Sequence, residues 1–124
     1  MFGNVLKFVS LLRGWKAEGK AVQLKNAEGP GANLLEKITG TILEIRQFPA
    51  QTSTAILIKS DTSLVINGKK KYYLLLVPRH RGYDSFVLKF TSIVSYVFAL
   101  ENPVVDGMPP QEEMLAIADL QLVR

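Results

Sequence analysis

Lys69, Lys70, Lys71, Tyr72 and Tyr73 stand in one run, and Arg79, His80, Arg81 and Tyr83 follow a few residues later, so cations and aromatic rings are interleaved over a short span. Ammonium and guanidinium groups meet phosphates, and flat rings receive unstacked bases, each stack contributing about 1–3 kcal/mol. That pairing is the chemistry of single-stranded nucleic acid binding. The same residues also fit a plainer role, since a hairpin tip rich in lysine protects a strand edge from aggregation, with Tyr73, Leu75 and Val77 then belonging to the core.

Residue types for catalysis are scarce. His80 is the only histidine and there is no cysteine, which removes thiolate zinc sites, disulfides, iron–sulfur clusters and cysteine nucleophiles together. Between two arginines, the imidazole suits stacking or simple exposure better than acid catalysis. Asp61, Asp84, Glu101 and Asp106 flank expected strand ends, where turn-forming and solubilising roles are usual, and Glu112 and Glu113 read as a polar boundary before an apolar run. Ser85 or Ser92 with His80 and Asp84 has the composition of a triad, yet no G-x-S-x-G elbow accompanies it. The glycines match neither the P-loop nor the dinucleotide-binding fingerprint. The expectation is a protein that is not an enzyme, with no cofactor and no metal.

At 124 residues the chain fits one domain, large enough to fold on its hydrophobic core without disulfides or metal. A formal charge of +4 favours a polyanionic partner. No run reaches the roughly 18 uncharged apolar residues of a membrane span, and the N-terminus lacks the pattern of a cleaved signal. A cytoplasmic protein without integral membrane association is expected.

The elements that must position the basic cluster follow from periodicity. Residues 2–16 are apolar except for a seam of Asn4, Lys7, Ser10 and Arg13 at steps of three, which predicts an amphipathic N-terminal helix with a narrow wet edge. Phe2, Val5, Leu6, Val9 and Leu12 form one stripe, and Phe8, Leu11 and Trp15 a second. The helix either lies across an open face or end of the sheet, or presents Phe2, Leu6, Phe8, Leu12 and Trp15 to a second copy, a protein partner or an anionic membrane surface. Residues 17–36, with charges, glycines and a proline but no period, read as a loop or linker around a short extended piece, Ala21–Leu24.

From residue 37 to 123 the patterns are those of strands. In KITGTILEIRQF the apolar positions change from even (Ile38, Ile42) to odd (Leu43, Ile45) beyond Gly40, as in a strand that bends and moves its buried side between sheets. Thr54–Lys59 and Leu64–Ile66 are extended around the turn formers Asp61, Thr62 and Ser63. Asn67-Gly68 signals a type I′ hairpin, and Lys71–Val77, apolar on both faces, reads as a central strand. Pro78 ends it. In Ser85–Glu101 the large residues Phe86, Leu88, Phe90, Val94, Tyr96, Phe98 and Leu100 occupy even positions, which favours a strand, with a helix as the alternative. Glu112–Val123 is a final strand or a short helix, the strand being favoured.

The sum is a mainly β protein, a small antiparallel barrel of five to six strands with an N-terminal helix. ITGTILEIRQF, with its internal glycine and change of face, and the closing LAIADLQLV resemble the first, sheet-switching strand and the fifth strand of the OB-fold. The resemblance implies binding of a single strand or an oligosaccharide on the second and third strands and flanking loops. It thereby assigns Lys69, Lys70, Lys71, Tyr72, Arg79, His80, Arg81 and Tyr83 to a nucleic-acid surface. The competing expectation is an interaction or assembly module that uses residues 2–16.

Overall fold

The computed structural model describes residues 2–48, 53–78, 92–103 and 109–123, with backbone alone for residues 2–8, 47, 48, 53, 92 and 93. Helix α1 (Phe2–Ala17) precedes six strands: β1 (Ala21–Glu28), β2 (Thr39–Phe48), β3 (Ser53–Ile66), β4 (Lys69–Pro78), β5 (Ser92–Leu100) and β6 (Ala116–Leu122). A single-turn helix, α2 (Ala32–Leu35), joins β1 to β2, and a 3-10 turn, Gln111–Glu113, leads into β6. The strands form a closed barrel in chain order, with β6 pairing back to β1 and every neighbour antiparallel.

Along α1, Val9, Leu12 and Trp15 recur every three residues and are all buried in the same core as the barrel interior, with Leu11 packed against it. The described half of the helix therefore has one buried side where the sequence suggested two separate stripes, and the helix lies on its own barrel. It ends in a Schellman motif: Lys20 N–H donates to Trp15 O (3.0 Å), Gly19 N–H donates to Lys16 O (3.1 Å), and Gly19 takes φ +63°. The chain is delivered straight into β1.

That strand corrects the reading of residues 17–36 as a loop or linker. The extended piece at Ala21 continues to Glu28 and closes the barrel, with Val22 and Leu24 buried inside. Its alternation fades because Asn26 adopts φ 55° where the β1–β6 register shifts, and the Asn26 amide donates to Asp119 Oδ2 at 3.0 Å. Such an irregularity interrupts a period of two. Three residue pairs join β1 to β2, from Ala21–Thr41 to Gln23–Thr39; α1 packs on β2 and α2 on β1.

The change of parity in β2 is a bulge. Ile42 pairs with Ile58 but Glu44 with Leu57, so one extra residue enters β2 there. Leu43 is exposed, and Ile42 and Ile45 both remain with the interior core; the strand keeps its buried side. At Gly40, β2 leaves no room for a side chain against β3. A Cβ there would run into the Lys59 carbonyl and lie 2.9 Å from Ile58 Cγ2.

Residues 54–58 of β3, 74–77 of β4 and 97–98 of β5 are buried on both faces. Ile56, Ile58, Leu74, Leu76 and Val97 fill the interior, while Ala55, Leu57, Leu75, Val77 and Phe98 form a second core on the outer face, bordered by Tyr73, Tyr96, Leu100 and Met114. This bears out β4 as a central strand. It also revises the stripe seen in β5: the large even-numbered side chain Phe98 packs outside, and the interior receives the small residues Ser95, Val97 and Ala99, as a narrow barrel requires. The expected strand at Ser85–Glu101 is present from Ser92 to Leu100, its earlier part lying outside the described residues. β6 is the favoured strand, with Ala116, Ala118 and Leu120 buried in alternation.

Candidate nucleic-acid interface

Asn67 and Gly68, with φ 51° and 79°, form the turn between β3 and β4, as the type I′ geometry demands. The two-residue turn sets the register: Ile66 faces Lys69, Val65 faces Lys70, and Leu64 faces Lys71. Beyond this the ladder breaks. Lys59 pairs with Tyr73, so residues 60–63 stand opposite Tyr72 alone. The turn formers Asp61, Thr62 and Ser63 thus make a wide bulge inside one 14-residue strand. The bulge is held by Ser60 Oγ, which donates to Thr62 O and accepts from Thr62 N–H, and by Thr39 Oγ1, which donates to Asp61 Oδ2 at 2.7 Å.

Alternation along β4 divides the basic run between two sides of the hairpin. On one side, Leu64 is buried and Ile66 packs against the interior core, and their cross-strand partners Lys71 and Lys69 share that side, Lys71 half-buried and Lys69 exposed. Glu101 Oε1 lies 3.3 Å from Lys71 Nζ and 3.9 Å from Lys69 Nζ. The same two lysines line a cleft of ≈ 460 Å³ with Glu112 and Glu113. Counting Glu101, three carboxylates there face two ammonium groups, a balance that disfavours phosphate.

The other side is open. Val65 is 56 % exposed and Tyr72 44 % exposed, Lys70 is exposed, and the pairing of Val65 with Lys70 together with the two-residue step from Lys70 to Tyr72 puts all three on one surface. Lys59, opposite Tyr73, is an exposed cation that the sequence reading did not include. Tyr73 itself is half-buried against the outer core.

Arg79, His80, Arg81 and Tyr83 lie outside the described residues, as do the side chains of Phe2, Leu6 and Phe8. Of the helix residues considered for partner contact, Leu12 and Trp15 are buried in the barrel's own core. The sequence leaves Val65 out of the site, although the Asn-Gly turn fixes its pairing with Lys70, and it gives Glu101 only a strand-end role, because the approach of that carboxylate to two lysines depends on the β4–β5 register. Among the described residues, no group of three or more histidines and carboxylates is placed to hold a metal, and no helix is long and apolar enough to cross a membrane.

Comparison with protein-family models, with curated proteins and with solved structures finds no match.

Proposed function

We propose that the chain is a non-enzymatic binding domain that takes single-stranded nucleic acid, DNA or RNA, on the Val65–Lys70–Tyr72 side of the β3–β4 hairpin. The observation that carries this reading is Tyr72, a residue 44 % exposed and on the same side as the exposed Lys70. A ring left in water offers a base a stacking surface, and the neighbouring ammonium meets the phosphate of the same nucleotide. Val65, opposite Lys70, extends the apolar area on which a sugar or base edge rests.

The OB-like likeness supports the proposal at the level of a small closed antiparallel barrel. The OB-fold is a five-stranded Greek-key barrel, whereas the strands here follow one another in chain order, so the likeness is one of size and closure. The proposal rests on the hairpin and does not draw on Arg79, His80, Arg81 or Tyr83. Titration of a fluorescent oligothymidylate with the full chain and with Tyr72→Ala tests it: saturable binding at low salt that the substitution weakens is expected, and no binding at low salt ends the proposal.

A further inference from the structure

Two of the three lysines of the hairpin share one carboxylate. Glu101, just beyond the end of β5, brings a single oxygen, Oε1, within 3.3 Å of Lys71 Nζ and 3.9 Å of Lys69 Nζ. A phosphate oxygen bridging two ammonium groups would occupy the same place, because carboxylate and phosphate oxygens answer the same donors. The carboxylate side chain is 45 % exposed and that of Lys69 71 % exposed, so the arrangement is open to a ligand, and an ion pair this exposed is weak enough to exchange. Lys71, at 20 %, is the more deeply held partner.

Resting on the function proposed above, we infer that Glu101 is an internal competitor for phosphate: it occupies Lys69 and Lys71 and confines a bound strand to the Lys70–Tyr72 side. Glu112 and Glu113 across the cleft reinforce the exclusion without touching either ammonium. Glu101 thereby sets how many phosphates the hairpin neutralises, and so how far its affinity depends on ligand charge.

The test titrates labelled oligothymidylate with four full-length proteins at about 50 and 200 mM salt. They are the wild type, Glu101→Gln, Glu101→Gln combined with Lys69→Gln and Lys71→Gln, and Glu18→Gln. The last makes the same change in charge and releases Lys20, the partner of Glu18, in place of the hairpin lysines. Emission of the buried Trp15 reports that each variant is folded. Glu101→Gln is expected to bind several-fold more tightly at low salt, with a log–log salt slope steeper by about 1.4, two phosphates at about 0.7 each. The triple variant is expected to lose that gain, and Glu18→Gln to show none. If the wild type binds and Glu101→Gln matches it, or if the gain survives loss of both lysines or appears in Glu18→Gln, the competitor role is overturned and the proposed function stands. If none of the four binds at low salt, the proposed function is overturned, and this inference with it.

Discussion

Val65 and Lys70 face each other across the β3–β4 hairpin, and both are exposed. With Tyr72 two residues further along β4, they form a surface distinct from that of Lys69 and Lys71, which lie beside Glu101. A run of three lysines that looks uniform in sequence is thus divided by strand geometry into Lys70 on one side and, on the other, Lys69 and Lys71 beside Glu101.

Tyr72→Ala should weaken oligothymidylate binding by about 1–3 kcal/mol, the worth of one base–aromatic stack, while leaving the unfolding midpoint nearly unchanged, because Tyr72 is exposed and outside both cores. Fluorescence anisotropy and urea denaturation measure the two quantities. Unchanged affinity with the fold intact would remove Tyr72 from the interface.

Gly40→Ala should destabilise the barrel by about 1–3 kcal/mol. The added methyl meets the Lys59 carbonyl, part of the backbone of the neighbouring strand, and Ile58 Cγ2 at 2.9 Å. Neither yields without parting β2 from β3. A urea midpoint equal to that of the wild type would mean that the strands separate there at no cost.

Leu12→Ala should cost about 2–5 kcal/mol, as truncation of a core leucine does, because Leu12 is wholly buried with Trp15 in the barrel interior cluster. A chain starting near Lys20 should correspondingly lose cooperative unfolding. A truncated chain that unfolds cooperatively at the wild-type midpoint would show instead that α1 is dispensable and free for partners.

Ser95→Ala should leave stability unchanged or raise it. Ser95 Oγ is buried and without a hydrogen-bond partner among the described residues, and an unsatisfied buried hydroxyl costs about 1–3 kcal/mol. A clear loss of stability in thermal unfolding would mean that the hydroxyl is satisfied after all.

Much of this architecture is legible in the chain, for identifiable reasons. Asn67-Gly68 names its hairpin because positive φ at both positions is a local demand, and LAIADLQLV shows β6 because its alternation is unbroken. Irregularity hides the rest. β1 loses its period at Asn26, β3 runs through Asp61, Thr62 and Ser63 because a bulge absorbs residues that usually end a strand, and the parity change at Leu43 is one inserted residue, not a change of sheet. In β5 the larger side chain Phe98 packs outside, whereas the barrel interior takes the smaller Val97 and Ala99. The basic cluster was visible as composition, but its division into two sides needs register, and the part of it at residues 79–83 lies outside the described residues.

Whether the hairpin binds nucleic acid through Lys70 is decided by the salt dependence of oligothymidylate binding, compared between the wild type and Lys70→Gln. Saturable binding at low salt that falls steeply as salt rises is expected, with a log–log slope shallower by about 0.7 in the variant, the share of one phosphate. Absence of binding at low salt, or a slope that Lys70→Gln leaves unchanged, would contradict binding through Lys70.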